Sequence, residues 1–160
     1  MALAARDGRP SFHSYRTPFG RITIQARDDG VTRLVLGDAR LEGVDSPSPL
    51  LNEAATQVNE YLAGKRTLFD VPVRLSGTDF QNAVWRAAMD IPYGQTRTPS
   101  DIAAAIGSPG AFRSVGRAVS QNPIAIIVPA HRIAKEGEGA VDGSDAAIRT
   151  RFRELERRYS

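Results

Sequence analysis

The spacing of hydrophobic residues predicts two strands followed by a helix in the first half of the chain. Polar and apolar residues alternate over Arg21–Ala26, and a second strand follows an Asp-Asp-Gly turn over Val31–Leu36, which is typical of a β-hairpin. Residues 37–48 are rich in Gly, Asp, Ser and Pro and indicate a loop. Apolar residues then recur at helical spacing between positions 50 and 62, and Gly64 ends this helix.

Helical spacing dominates the second half of the chain, where predicted helices begin near positions 80, 100, 111 and 145. Thr78 or Asp79 can cap the first of these helices, and Thr98 or Ser100 can cap the second. The apolar stretch 124–128 lies between two prolines and predicts a buried extended segment.

The change in pattern at Ser76 predicts a boundary between two subdomains, at 11–76 and 77–160, after a flexible N-terminus at 1–10. In the second subdomain, a short Gly-containing turn separates the helices that begin near 100 and 111. This arrangement is typical of a helix-turn-helix, although two packed helices with solvated arginines give the same pattern.

The composition narrows the possible functions. The 160 residues include no cysteine and two histidines, which excludes disulfides, a cysteine nucleophile and thiolate metal ligands, so we expect no metal and no cofactor. No apolar run approaches the roughly 20 residues needed to span a bilayer, so we expect a cytoplasmic protein with no membrane partner. The net charge of +3 and the pI of about 9.7 are compatible with nucleic-acid binding and with a solvated basic face.

Six short motifs follow one another along the chain: Thr17–Gly20, Tyr61–Arg66, Phe80–Trp85, Ile91–Thr96, Gly107–Gly116 and Asn122–Arg132. In this number and order they resemble the alkylguanine-DNA alkyltransferases, also called methylated-DNA–protein-cysteine methyltransferases. The resemblance runs from about Ser14 to the end of the chain.

This resemblance implies a fold and a reaction. A small N-terminal sheet-plus-helix subdomain would pack on a mostly helical C-terminal subdomain that contains the helix-turn-helix, which is an α/β (α+β) fold class. Members of the family bind double-stranded DNA in the minor groove and flip an alkylated guanine into a pocket. A thiolate activated by a neighbouring histidine then accepts the alkyl group.

The same resemblance implies roles for individual residues. Arg113 corresponds to the finger that enters the base stack, because a planar guanidinium can stack and donate hydrogen bonds together. Ser114 and Arg117 would contact phosphates. Asn122 would hold the turn after the recognition helix through side-chain to backbone hydrogen bonds. Pro129 and Arg132 belong to the motif around the acceptor position.

The chain departs from the family pattern at the acceptor itself. Ala130 stands where the family has its reactive cysteine, and a methyl group has no lone pair to offer an alkyl carbon. His131 corresponds to the relay histidine, and Glu156, or Glu154 if the terminal helix shifts, corresponds to the relay acid. Without a thiol both are remnants, and a histidine hydrogen-bonded inside a core explains His131 equally well.

Two further departures concern the DNA interface and the pocket. Thr98 and Pro99 occupy the position of a Ser-Tyr pair that presses on the phosphate beside the flipped base, and proline offers no hydroxyl or amide donor. The loop that lines the guanine pocket in the family has a different sequence in this chain, where it includes Val141, Gly143 and Ser144. It also contains two additional acidic residues. These combined changes favour a naturally cysteine-free relative over a laboratory variant.

We therefore predict a DNA-binding, alkyltransferase-like protein that recognises alkylated guanine or distorted duplex without transferring the alkyl group, and we do not expect an enzyme. Nucleotide excision repair proteins are the implied partners, and we expect a monomer. The alternatives are an inactivated variant of a repair methyltransferase, and a DNA-binding regulatory or protein-interaction module. A cavity beside Ala130 would favour the first two hypotheses, and a cavity filled by Asp142–Asp145 would favour the third.

Overall fold

The computed structural model describes residues 9–135 and 144–160, which fall into two compact units. The first unit contains residues 9–76 together with Pro123–Ile127, and the second contains the other described residues from 77 onward. An N-terminal sheet and a mostly helical second part confirm the predicted mixed α+β fold class. Within these described residues, no helix is both long and apolar enough to cross a membrane.

A four-stranded mixed sheet, in which only β4 pairs parallel to its neighbour β1, forms the centre of the first unit. Its strands are β1 (Ser11–Thr17), β2 (Gly20–Arg27), β3 (Gly30–Leu36) and β4 (Val44–Asp45), arranged in the order β3-β2-β1-β4. The first three strands pair antiparallel through tight turns, so the predicted hairpin is confirmed. Ile24 at the centre of β2 is fully buried, as the alternation of polar and apolar residues predicts.

The predicted loop 37–48 contains strand β4, which the sequence pattern does not reveal because two residues are too few to show alternation. The Val44 N–H donates to the carbonyl of Pro10 at 3.0 Å. Gly43 has a φ of 112°, and a Cβ atom there would lie 2.0 Å from the Pro10 carbonyl oxygen. The close approach of the two chain segments therefore requires glycine at this position.

Helix α1 (Pro49–Leu62) packs against the sheet. The Ser48 hydroxyl accepts from the Leu51 N–H at 3.2 Å, and the proline at the first helical position has no N–H to leave unsatisfied. Tyr61 is fully buried on the apolar face. The helix ends just before Gly64, whose φ of 78° is the left-handed conformation expected of a C-terminal cap.

The second unit consists of helices α2 (Asp79–Met89), α3 (Pro99–Ala105), α4 (Phe112–Ser120) and α5 (Ser144–Tyr159), with a short 3-10 helix at Ala130–Arg132. Of the alternative caps, the structure selects Thr78 for α2 and Thr98 for α3, and each forms a reciprocal capping box with the side chain three residues later. The indole N–H of Trp85 donates to the carbonyl of Ala118 at 2.9 Å, which ties α2 to α4 inside the core.

Four of the five residues of the apolar stretch 124–128 are buried as predicted, and Ala125 is half-buried, but the stretch is not extended throughout. Leu34 in β3 donates to the Pro123 carbonyl at 2.9 Å and accepts from the Ala125 N–H at 3.2 Å, so the segment joins the first unit although it lies within the predicted 77–160 subdomain. Ile126 then adopts a φ of 74°, a strained conformation for a β-branched residue that turns the chain sharply. Apolar composition predicted burial, and it carries no information about this turn.

Candidate functional site

Ala130 lies in a segment of the second unit that backbone hydrogen bonds hold in place, both within the segment and with Arg97. It begins the 3-10 helix and is 1% exposed, and its carbonyl accepts from the Ile133 N–H at 3.0 Å. The Arg97 N–H donates to the Arg132 carbonyl, and the Ala134 N–H donates to the Arg97 carbonyl, both at 2.9 Å. The methyl group of Ala130 is therefore buried, and hydrogen bonds hold the backbone around it.

Asn122 and Pro129 support the approach to this segment. The side-chain amide of Asn122 donates to the Val128 carbonyl at 2.9 Å, which is the kind of side-chain to backbone bond that the sequence analysis expects. Pro129 is buried, and its carbonyl accepts from the Arg132 N–H at 2.9 Å.

A buried carboxylate lies beside the 3-10 helix. Glu156 of α5 is 1% exposed, and its Oε2 lies 2.6 Å from Nε2 of His131, which is 2% exposed. The Gly94 N–H donates to the other carboxylate oxygen at 3.0 Å. Glu154, the alternative acid, is exposed, so the structure brings Glu156 and not Glu154 to the histidine.

Two arginines complete this buried cluster. Nε of Arg132 donates to Oε1 of Glu156 at 2.9 Å, and its Nη1 donates to the Ile91 carbonyl at 2.7 Å. Nη1 of Arg153 donates to the His131 carbonyl at 3.0 Å. The sequence analysis missed Arg153, although its position three residues before Glu156 places both on one side of a helix and could have revealed it.

This cluster holds His131 in its neutral form. Burial lowers the pKa of His131 below its ordinary value of 6.5, and the positive charges of Arg132 and Arg153 act in the same direction. The hydrogen bond to Glu156 opposes them, but that carboxylate already pairs with Arg132. A proton on the imidazole would add an uncompensated charge to a buried site.

Helix α4 presents a basic face. Arg113, Ser114 and Arg117 are all exposed, whereas Val115 and Val119 are buried, and none of the nine residues of this helix is acidic. The structure therefore separates the predicted DNA-contact residues from the buried Glu156 cluster and places them on the surface of a different helix.

Thr98 and Pro99 lie at the start of α3, where both have a role in starting the helix. The Thr98 hydroxyl accepts from the Asp101 N–H at 3.1 Å, and the Asp101 carboxylate accepts from the Thr98 N–H at 3.0 Å. Pro99 occupies the first helical position. The hydrogen bonds from the Thr98 N–H and the Thr98 side chain lower the pKa of Asp101, so the hydroxyl of Thr98 is engaged within the cap.

Part of the predicted pocket lies outside the described residues. Val141 and Gly143 belong to that range, and so does the loop whose position would distinguish the alternative hypotheses. Ser144 begins α5, but its side chain is also outside the described part. In the part of the chain that is described, no three His, Asp or Glu side chains come together as metal ligands.

Both units match models of known domains. Residues 11–75 match the ribonuclease-like domain of 6-O-methylguanine DNA methyltransferase, and residues 79–157 match its DNA-binding domain. The chain belongs to the 6-O-methylguanine DNA methyltransferase family. The predicted resemblance is therefore confirmed over both units.

Relatives in this family are similar along most of the chain. A methylated-DNA–protein-cysteine methyltransferase of Mycolicibacterium paratuberculosis is 41% identical over 155 residues, which cover 91% of this chain and 93% of the relative. The constitutive enzyme of Bacillus subtilis is 42% identical over 73% of this chain and 76% of its own. The crystal structure of Mycobacterium tuberculosis O6-methylguanine methyltransferase has a TM-score of 0.84 at 38% identity, covering 94% of both chains. The Mycobacterium tuberculosis protein in complex with DNA has a TM-score of 0.82 at 37% identity, with the same coverage.

The relatives are named for transfer to a protein cysteine, and this member of the methyltransferase family has none. The position that the sequence analysis assigns to the acceptor holds the buried methyl group of Ala130, next to His131 of the His131–Glu156–Arg132 cluster. The Arg132 guanidinium and the Glu156 carboxylate pair with each other without any thiol, so we expect this cluster to stabilise the fold.

We expect Glu156→Gln to destabilise the protein by about 3–5 kcal/mol, because the substitution leaves the buried Arg132 guanidinium without its counter-charge. Urea unfolding followed by circular dichroism would measure this loss. Glu154→Gln is the matched control, since Glu154 lies two residues away on the same helix and is exposed. Equal stability of the two variants would contradict a structural role for the cluster.

We expect the free energy of unfolding to fall as the pH is lowered from about 7 to about 5, because unfolded histidine takes up a proton near pH 6.5. The pKa of His131 is lower in the folded protein, so its contribution to stability is complete above pH 6.5 and is lost as the pH falls below it. His131→Gln should flatten this dependence in unfolding measured across that range. His13→Gln, at an exposed histidine, is the control, and a His131→Gln profile parallel to the parent's would refute the assignment.

Proposed function

We propose that this protein binds duplex DNA that contains an alkylated guanine or another distortion, and that it leaves the alkyl group on the DNA. The observation that carries the proposal is the absence of cysteine from a chain whose curated relatives are named for transfer to a cysteine, and the buried Ala130 is the residue that we assign to the acceptor position. The family membership of both units supports a DNA-repair context.

Transfer fails in this proposal for a chemical reason. Dealkylation of guanine needs a strong, soft nucleophile next to the alkyl carbon, and the side chain of Ala130 is a methyl group. The neutral His131 is hydrogen-bonded to Glu156, but a water molecule activated by histidine is a far weaker nucleophile toward an alkyl carbon than a thiolate. The remaining chemistry of the site is therefore binding.

Helices α3 and α4 supply the proposed DNA interface, acting as a helix-turn-helix. Arg113 would enter the base stack when a base is flipped, and Ser114 and Arg117 would contact phosphates. The exposed positions of these three side chains on a helix without acidic residues support this assignment. Thr98 and Pro99, at the start of α3, would lie at the edge of this interface and position the helix through the cap.

A bound but unrepaired lesion requires a second activity to remove it. We therefore propose that the protein, as a monomer, presents the lesion to another repair pathway, with nucleotide excision repair proteins as partners. A protein that stays bound to an intact lesion can be recognised there by other repair proteins. A protein that had taken the alkyl group would instead leave repaired DNA behind.

The parent protein should bind a duplex with one O6-methylguanine more tightly than the same duplex without the methyl group. Arg113→Ala should lower this preference by about tenfold, or about 1.4 kcal/mol, because the flipped base loses its replacement in the stack. Fluorescence anisotropy across a salt series would measure both affinities, with Arg86→Ala on α2 as the exposed control. If the protein binds the two duplexes equally and with a steep salt dependence, then it contacts only the phosphates and does not recognise the lesion. An alkyl group found on the protein by intact mass would overturn the proposal.

Gly116→Ala should stabilise the protein by about 0.5–1 kcal/mol and weaken its binding to duplex DNA. Glycine inside α4 lowers helix stability, and a Cβ atom there would meet no atom within 4 Å, so nothing within the described chain requires it. A DNA backbone that approaches the helix closely would require it. Thermal unfolding and anisotropy on the same preparation test both effects, and a stabilised variant with unchanged affinity would refute close approach at this position.

A further inference from the structure

We propose that Phe112 is a base-stacking residue of the DNA interface, in addition to Arg113. This inference rests on the proposed function, since it needs duplex binding through α4. It adds a flat apolar contact that recognises an unstacked base whether or not that base is alkylated.

The first observation is that Phe112 is exposed where its spacing predicts burial. Phe112, Val115 and Val119 lie at the i, i+3 and i+7 positions of one helical stripe, and the two valines are buried. Phe112 nevertheless remains 43% exposed. Full burial of a phenylalanine stabilises a protein by about 1.5–3 kcal/mol, so this ring forgoes part of that stabilisation.

The second observation is the contact between this ring and Arg113. The guanidinium carbon of Arg113 lies 5.9 Å from the centroid of the Phe112 ring, which is within the range of a cation–π interaction. Two planar groups, one charged and one apolar, therefore lie side by side in the first turn of α4. Each of them can stack on the face of a nucleobase.

Charge complementarity identifies the ligand. Helix α4 carries Arg113 and Arg117 and no acidic residue. Met89 and Tyr159 are also exposed large hydrophobic side chains of this unit, but each lies on a helix that contains acidic residues. An apolar ring on a helix that carries two arginines and no acidic residue fits a polyanion that also offers aromatic faces, which is a nucleic acid with an accessible base.

The duplex used to test this inference contains one 2-aminopurine opposite an abasic site, and the same duplex with thymine opposite 2-aminopurine is the paired reference. Phe112→Ala should weaken binding to the first duplex by about 5- to 150-fold, the range expected for one base stack of about 1–3 kcal/mol. Phe112→Trp should retain tight binding, and both the parent and this variant should quench the 2-aminopurine fluorescence on binding. Met89→Ala is the control for loss of an exposed apolar side chain.

The salt dependence separates stacking from phosphate contact. Phe112→Ala should leave the slope of log affinity against log salt unchanged, whereas Arg117→Ala should reduce its magnitude by about 1. Thermal unfolding of Phe112→Ala should stay near the parent value because the ring is exposed. A folded Phe112→Ala protein with parental affinity, or with a changed salt slope, overturns the stacking role. If the parent itself binds no duplex, then the proposed function fails first, and the two failures are distinguishable.

Discussion

The carboxylate of Glu156 joins three stretches of the second unit that are far apart in sequence. It accepts hydrogen bonds from the Gly94 N–H and the Arg132 guanidinium, and it lies 2.6 Å from His131, all within α5, the 3-10 helix and the turn after α2. A buried charge is stable only when it is paired and hydrogen-bonded, so these contacts depend on one another. The position of Ala130 follows from this cluster, because its neighbours His131 and Arg132 both belong to it.

Such a cluster explains how this fold can hold His131, Arg132 and Glu156 together with no cysteine in the chain. The neighbouring residues are required by the charge balance of the core, whether or not a thiol stands at position 130. Removing Glu156 would leave Arg132 buried without a counter-charge, which is more damaging than the loss of a surface ion pair. The contact between His131 and Glu156 is therefore explained by the packing of the core and does not by itself indicate alkyl transfer.

The sequence predicted those features that local patterns control. Alternation revealed the hairpin, Gly64 marked the end of α1, and Thr98 was one of two hydroxyl residues predicted as the cap of α3. The left-handed Ile126 and the strand that depends on Gly43 were not predictable, because both arise from tertiary packing that overrides local preference. Family motifs predicted His131 with Glu156, whereas Arg153 was missed because its pairing depends on the three-dimensional path of the chain.

The position that we assign to the acceptor and the surface that we propose to bind DNA lie in different parts of this unit. The proposed function depends on this separation. Ala130 lies in a buried core beside the Arg132–Glu156 ion pair, whereas Phe112, Arg113 and Arg117 are exposed on α4. Replacement of a buried thiol by a methyl group changes neither the charge nor the exposed surface of that helix. A change at position 130 can therefore remove transfer while the surface proposed to hold DNA stays intact, and such a protein would remain on the lesion it recognises.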